Sequence, residues 1–215
     1  FTPTLTTVSG LVSGDIISGA TYTYSSTSVP TCAQGGMCSF GDRGPAGGIV
    51  FYVSGSAINS SAGISSGGTY LEAAPAPVSK TTFNWCEGPV NPYTTTIGAS
   101  GTAIGTGASN TSIMISNCTG GAGFSAANLT LGGYSDWFLP SSGELGVMYS
   151  NLTTIGITGD EATYLYWGST ENSNWIAASL VPWAGIGGQN KGQATPYWPI
   201  RAFSQTVSTI TDYGP

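Results

Sequence analysis

Residues 132–152, GGYSDWFLPSSGELGVMYSNL, restrict the fold of this chain more than any other stretch. Two glycines indicate a turn, an apolar run follows it, and Pro140 ends that run before a helix begins. The Ser141 hydroxyl can accept from the backbone N–H three residues on, while Glu144 can reach back as the carboxylate of a capping box. Residues 142–151 are therefore predicted to form a helix. Its apolar face consists of Leu145, Met148, Tyr149 and Leu152.

The chain carries very few charges for its length. Only 7% of its 215 residues are charged, while 40% are hydrophobic and can fill a substantial core. A typical domain has about 25% charged residues. The cations are Arg43, Lys80, Lys191 and Arg201, too few and too scattered for a phosphate-binding groove, so nucleic acid is not an expected partner. A surface of Ser, Thr, Asn, Gly and Tyr is common in extracellular, glycan-rich or assembled proteins.

The sequence contains no histidine, which removes the Ser-His-Asp and Cys-His arrangements, imidazole bases and histidine-ligated metals. A pair of carboxylates is enough for a glycosidase. The candidates for that pair are Asp136, Asp160, Glu161 and Glu171. Turn and capping roles account for Asp136 and Glu144, and Asp160 and Glu161 follow Gly159 in a polar turn. We therefore expect a protein that is not an enzyme, with a carboxylate-based glycoside hydrolase as the alternative.

Four cysteines allow three disulfide pairings, and the sequence alone does not choose among them. Loop closure favours Cys32 with Cys38, across a short loop with two glycines. It pairs Cys86 with Cys118, where the link would stabilise by about 3–4 kcal/mol. Four buried free thiols are the alternative. A zinc site is disfavoured because the chain has neither a CxxC motif nor histidine.

No run of about 18 apolar residues is present, so no transmembrane segment is predicted. The chain begins at Phe1 rather than at methionine, as expected of a processed product or an excised fragment. Together with the cysteines and the composition, this predicts an extracellular or cell-surface protein.

Three regions are predicted along the chain. Residues 1–30 alternate β-branched or aromatic residues with small polar ones and form an N-terminal β-strand extension, residues 31–204 form the main domain, and residues 205–215 form a C-terminal strand or tail. Helices are predicted near Asn110, which would cap the first, and shortly after it. Strands are predicted at 49–53, 69–75, 163–168, 175–180 and 197–203, the last interrupted by Pro199, with a loop at 54–68 and a hairpin tip or loop at 185–193.

Six segments, in this order, resemble a known family: GPAGGIVFYVS, YLEAAP, AIGTGASNTSI, GGYSDWFLPSSGEL, YWGSTE and YWPIRAF. Over residues 43–203 the chain resembles the Lcl C-terminal domain, a bacterial surface domain named for a collagen-like adhesin. That family is similar to the C-type-lectin-like fold, in which a helix follows a (W)xLP turn and a late strand ends in a Pro/Arg element. The matching residues here are Trp137, Leu139, Pro140, Glu144, Pro199 and Arg201. The helix has fewer charges than is usual in the family, and the chain continues on both sides of the match.

The resemblance implies an α+β, C-type-lectin-like fold with short antiparallel strands, about two helices and long loops. The alternating segments outside the match add extra terminal β-strands to this prediction. Calcium-dependent sugar sites of lectins place acidic and amide side chains on a loop beside a strand. Glu171, Asn172 and Asn174 before Trp175 provide that mixture, although the absence of EPN or QPD triplets favours a plain hydrogen-bonded turn. Trp183, between a proline and a glycine-rich loop, is the tryptophan expected to be exposed for stacking on a sugar. No cofactor is expected, and calcium is the one candidate.

Five N-x-S/T sequons are modification sites if the host glycosylates asparagine. They begin at Asn59, Asn110, Asn117, Asn128 and Asn151.

These features predict a surface protein that adheres or assembles, with copies of itself and surface glycans as partners. Few charges leave little repulsion between copies, and few lysines protect the edges of sheets. Residues 4–24 and 205–213 alternate in strand fashion and could each complete a neighbour's sheet. The alternative is a monomer whose two ends pair with each other and which acts as a glycan-binding, lectin-like module.

Overall fold

The computed structural model describes residues 2–3, 24–25, 30–88, 95–157, 165–181 and 185–205. Contacts divide the chain into two compact units, Phe1–Pro30 and Thr31–Pro215. In the first unit, strand β1 (Thr2–Pro3) pairs antiparallel with strand β2 (Tyr24–Ser25). The rest of the predicted N-terminal strands, and residues 206–213 of the predicted C-terminal strand, lie outside the described residues.

The second unit is a mixed α+β fold with short antiparallel strands, which confirms the predicted class. It opens with a 3-10 helix at Cys32–Gln34. The helices are α1 (Gly107–Asn117), α2 (Ala122–Ala127) and α3 (Ser142–Thr154). The strands are β3 (Ile49–Ser61), β4 (Ser65–Ala73), β5 (Val78–Phe83), β6 (Tyr166–Glu171), β7 (Ile176–Val181), β8 (Gly185–Asn190), β9 (Thr195–Tyr197) and β10 (Ile200–Phe203). Two main helices were predicted, and α1 and α3 are those two.

The strands form two sheets in this unit. One has the order β10-β4-β3 and the other the order β5-β9-β6-β7-β8. Pro199 lies between β9 and β10, where the chain passes from one sheet to the other. The Pro199 carbonyl still accepts from the Ala74 N–H at 2.9 Å, and Phe138 pairs with Ile200 beside it. The WFLP segment and the late Pro/Arg segment therefore lie side by side.

Helix α3 begins as its sequence predicts. The Ser141 hydroxyl accepts from the Glu144 N–H at 3.3 Å, and the Glu144 carboxylate accepts from the Ser141 N–H at 2.8 Å. The predicted apolar face packs inward, with three of its side chains buried and Tyr149 half-buried. Burial of this face, more than helix propensity, fixes the position of α3 against both sheets.

Three local predictions are wrong. Residues 54–68 were expected to be a loop but belong to the β3–β4 hairpin, and residues 185–190 were also expected to be a loop or hairpin tip but form β8. The first stretch is rich in Ser and Gly, and half of the residues of the second are Gly. Neither shows apolar alternation, so only their pairing partners reveal them as strands. Asn110 does not cap α1. It lies inside the helix, and its side chain binds both backbone groups of Gly101 instead.

The buried core lies between the helices and the two sheets. Its largest fully buried side chains are Trp85, Trp137, Trp167, Tyr166, Phe51 and Phe138. In the part of the chain that is described, no helix is long and apolar enough to cross a membrane.

Candidate functional site

The carboxylate of Glu171, at the end of β6, turns inward rather than towards solvent. It accepts from Lys191 Nζ at 2.5 Å and from the backbone N–H groups of Ile97 and Gly98 at 2.9 and 2.8 Å. Both carboxylate oxygens are therefore engaged by the protein itself. The position expected to supply an acidic calcium ligand instead ties β6 to the 95–99 loop and to the turn after β8.

Lys191 is completely buried, and its ammonium lies 4.9 Å from the centroid of the Trp85 ring. A buried ammonium is stable only when it is paired, and Glu171 supplies the opposite charge while Trp85 offers the negative face of its ring. The backbone of Lys191 also pairs with Trp175, whose carbonyl accepts from the Lys191 N–H at 2.9 Å. The buried ion pair thus holds the outer corner at which Trp175 lies.

Trp175 is the exposed aromatic side chain of this corner, with 52% of its surface accessible. Asn172 is exposed beside it and Asn174 is half-buried. The structure therefore places together four of the five predicted ligand-binding residues, although Glu171 faces inward. The fifth, Trp183, lies outside the described residues. Among the described residues no group of three His, Cys, Asp or Glu side chains could hold a metal ion.

Strand β8 borders the same corner and is the last strand of its sheet in the described part of the chain. It pairs with β7 at all six positions, from Gly185 opposite Val181 to Asn190 opposite Ile176. Its sequence, GIGGQN, contains no charge and no proline, the devices with which natural edge strands resist pairing with other chains. Ile186 on this strand is 39% exposed.

A second buried ion cluster joins the two sequence segments that resemble the family motif. Arg201 on β10 donates to both oxygens of Asp136 at 2.7 and 2.9 Å, and to Glu72 on β4 at 2.6 Å. Its guanidinium also lies 3.9 Å from the centroid of the Tyr134 ring. Burial raises the pKa of Glu72, and the hydrogen bond and charge of Arg201 oppose that rise. This cluster fixes β10 and β4 to the WFLP segment.

Glu144 is also buried, beneath the start of α3. In addition to its capping role it accepts from the Gly105 N–H at 2.8 Å. Burial raises the pKa of Glu144, and the backbone donors of Ser141 and Gly105 oppose that rise. Gly107 lies directly against this carboxylate, and a Cβ atom at Gly107 would collide with it.

Two of the four carboxylates considered for a glycosidase pair, Asp136 and Glu171, are among the described residues. Asp136 is held by Arg201 and Glu171 by Lys191, so each has a structural partner. Asp160 and Glu161 lie outside the described residues.

The two disulfides join Cys32 to Cys38 and Cys86 to Cys118, the pairing that loop closure favours. Disulfides of this kind are typical of proteins that fold in an oxidising, extracellular environment.

The five sequons differ in accessibility. Asn59 and Asn110 are buried, so their side chains cannot carry a glycan in the folded protein. Asn117 and Asn151 are half-buried, and each uses its amide nitrogen to donate to a backbone carbonyl. Asn128 is exposed at the end of α2, which makes it the accessible sequon among the five.

Sequence reasoning missed both ion clusters. The four residues Glu72, Asp136, Arg201 and Lys191 are up to 129 positions from their partners, and no local pattern connects them. The low number of charges in the sequence could have indicated these clusters, because a charged side chain that is buried needs a partner of opposite sign.

Fold and site together describe an α+β domain with two disulfides, a charge-free sheet edge and an exposed tryptophan. Comparisons of the chain with protein-family models, with curated proteins and with solved structures find no match. The resemblance to the Lcl C-terminal domain therefore stays a prediction from the sequence.

Proposed function

We propose that the chain is a non-enzymatic, extracellular surface subunit that assembles with copies of itself through β-strand contacts. The observation that carries the proposal is the edge strand β8. Among the described residues no strand pairs with the side of β8 away from β7, and β8 has no lysine, proline or bulge that would oppose a neighbouring strand there. The donor is a strand of a second copy.

The composition supports the same proposal. With 7% charged residues, two copies meet little like-charge repulsion, and backbone hydrogen bonds can join them without specific side chains. In a surface layer or appendage, repetition also strengthens weak adhesion through multivalency. A non-enzymatic role fits the structural partners of Asp136 and Glu171.

Two lysines on the edge strand test the proposal. Ile186→Lys with Gln189→Lys places charges on both faces of β8, and we expect light scattering to change from assemblies to monomers. The matched control, Ser109→Lys with Ser116→Lys, adds the same charges at exposed positions of α1 and should assemble like the unchanged chain. Equal assembly of the edge variant and the control would exclude β8 as the contact. Removal of residues 1–24 then asks whether that segment supplies the donor strand, in which case assembly is lost.

The exposed corner at Trp175 favours a second candidate function, a monomeric glycan-binding module. An open indole face flanked by Asn172 and Asn174 offers both stacking and amide hydrogen bonds to a sugar. A glycan array with the full chain and with Trp175→Ala tests this candidate. Binding that disappears in Trp175→Ala supports it, and an array without binders at high protein concentration rejects it.

A further inference from the structure

The ion pair between Lys191 and Glu171 is buried more completely than a structural role requires. The Lys191 side chain is inaccessible to solvent and the Glu171 side chain is 2% exposed. Lysine is among the residue types that are least often fully buried. Apolar side chains of similar volume usually stabilise an interior at least as well as a buried ion pair does. Stability alone is therefore a weak reason for an amine and a carboxylate at this place.

Backbone hydrogen bonds fix both partners of the pair. The Lys191 N–H donates to the Trp175 carbonyl at 2.9 Å, and the Lys191 carbonyl accepts from the Trp85 N–H at 2.9 Å. The Glu171 N–H donates to the Ala99 carbonyl at 2.7 Å. The Trp85 ring, with its centroid 4.9 Å from Nζ, covers the amine. The two side chains are therefore held against each other and shielded from bulk water.

The distance between the two groups suits a reaction between them. Nζ lies 2.5 Å from Oε1 of Glu171. The carboxyl carbon is one bond of about 1.2 Å further, so it lies within about 3.7 Å of Nζ. Groups held about 3–3.5 Å apart in a suitable orientation reach effective concentrations of about 10⁵–10⁸ M. Such a concentration favours an amide, although the same condensation is unfavourable for free groups in water.

The two oxygens of the Glu171 carboxylate have different surroundings. Oε2 accepts from the backbone N–H groups of Ile97 and Gly98 at 2.9 and 2.8 Å. Oε1 accepts from Lys191 Nζ, and the Ile97 N–H is also 3.0 Å from it. Two backbone donors on one oxygen are the arrangement that stabilises negative charge in a tetrahedral intermediate. Oε2 is therefore suited to carry that charge, and Oε1, beside the amine, is suited to leave.

We propose that Lys191 and Glu171 condense within the folded chain to an intramolecular amide. The ammonium first passes a proton to Oε1, and the neutral amine then attacks the carboxyl carbon Cδ. In the tetrahedral intermediate the negative charge is on Oε2. The nitrogen passes a second proton to the Oε1 hydroxyl, the Cδ–Oε1 bond breaks, and one water molecule leaves. The product is an amide whose carbonyl oxygen is Oε2.

The amide is a covalent cross-link between the end of β6 and the turn after β8. Its two residues are 20 positions apart, so it closes a ring that contains β7 and β8. A force on the two ends of the chain then bypasses these strands, which suits a subunit of a surface structure under mechanical load. The amide is also neutral, so the cost of burying two charges disappears. The cross-link lies within one copy and does not depend on assembly.

The test is intact mass and peptide mapping of the full chain, purified in its folded state and then denatured, reduced and alkylated. We expect a mass below that of the sequence by one water molecule. Trypsin does not cleave after an acylated lysine, and glutamyl endopeptidase does not cleave after an amidated glutamate. Cleavage after Lys191 and after Glu171 should therefore both be lost. Cleavage after Arg201 and after Glu87 should continue and is the internal control.

Two variants make the test specific. Lys191→Arg keeps a positive charge opposite Glu171 but has no amine that can attack, so it should keep the full mass of its sequence and regain cleavage after Glu171. Lys80→Arg makes the same change at the other lysine of the sequence and should lose one water molecule like the unchanged chain. The peptide map of the unchanged chain decides the proposal even where Lys191→Arg does not fold.

Two results would overturn the proposal. The first is the full sequence mass in the folded, unchanged chain, with cleavage after both Lys191 and Glu171. The second is loss of water in Lys191→Arg, which would place the dehydration elsewhere in the chain. Neither result bears on assembly through β8, which light scattering measures separately.

Discussion

Arg201 is the residue that neutralises two carboxylates. It neutralises Glu72, which is completely buried, and Asp136, which is about a quarter exposed. Removing one partner of a buried pair leaves an uncompensated charge, which costs about 3–5 kcal/mol. We expect Arg201→Leu to lower the free energy of unfolding by that amount, as measured by urea denaturation.

The double variant Arg201→Leu with Glu72→Gln is the control for this prediction. It removes the stranded charge as well, so it should recover part of the lost stability although it contains one substitution more. If the losses in the free energy of unfolding caused by Arg201→Leu and by Glu72→Gln simply add in the double variant, Arg201 and Glu72 do not interact.

Glu144 predicts a dependence of stability on pH. Burial raises its pKa above the ordinary value of 4.5, so at pH values between 4.5 and the raised pKa the folded state keeps a proton that the unfolded chain has released. Stability therefore falls as pH rises through this window, with a slope of at most about 1.4 kcal/mol per pH unit for one proton. Glu72, whose pKa burial also raises, contributes in the same direction.

In Glu144→Gln this contribution is absent, so the free energy of unfolding should fall less steeply with pH above 4.5 than in the unchanged chain. At pH 4.5 the variant should be less stable by about 1–3 kcal/mol, because the glutamine NH₂ group faces the Ser141 N–H without an acceptor. Denaturation curves at a series of pH values measure both effects. Parallel profiles for the two proteins would show that Glu144 does not titrate in this window.

At the scale of elements, the capping box makes α3 dependent on one hydroxyl. The Ser141 hydroxyl accepts from the Glu144 N–H and donates to the Ala103 carbonyl at 2.9 Å, so it connects the start of α3 to the loop before α1. Ser141→Ala should lower the free energy of unfolding by about 1–2 kcal/mol. Ser150→Ala, at an exposed position of the same helix, should change it by less than about 0.5 kcal/mol. Thermal and urea denaturation measure the difference, and equal effects of the two substitutions would contradict this account.

The two disulfides close loops of different length, so they should contribute different amounts to the free energy of unfolding. The cysteine positions are 32 residues apart for Cys86–Cys118 and 6 residues apart for Cys32–Cys38. Loop-closure entropy then assigns about 4 kcal/mol to the first and about 2 kcal/mol to the second. Paired replacements by alanine, Cys86→Ala with Cys118→Ala and Cys32→Ala with Cys38→Ala, should rank in that order in urea denaturation. The reverse order would contradict the entropic explanation.

Elements defined by local chemistry could be predicted from the sequence. The start of α3 follows from Ser141, Glu144 and Pro140, which act within four residues of one another, and Pro199 correctly marks the break between β9 and β10. Elements defined by distant partners could not. Three of the six residues of β8 are glycines, so its sequence shows no strand pattern, and its identity as a strand depends on pairing with β7.

The residues of the candidate site also include some whose position the sequence predicts and some whose position it does not. Exposure at the β6–β7 turn follows from its local polarity, so Asn172 and Trp175 are at the surface as a turn requires. The sequence does not show that Glu171 turns inward, because its partner Lys191 is 20 positions away. Trp183 was expected to be the exposed tryptophan and lies outside the described residues, and among the described tryptophans Trp175 is the exposed one.

At the scale of the whole molecule, the domain buries several of its few charged side chains. Arg201 and Lys191 are half of the four cations in the sequence, and both are buried in ion clusters. The surface is therefore left with even fewer charges than the composition indicates. Such a surface offers little electrostatic protection against association, which is the physical basis of the proposed assembly.

Assembly through β8 can be measured by sedimentation velocity of the full chain over a wide range of concentrations. We expect species larger than the 21.8 kDa monomer, with a share that grows with concentration and disappears in Ile186→Lys with Gln189→Lys. A single 21.8 kDa species at every concentration would contradict it.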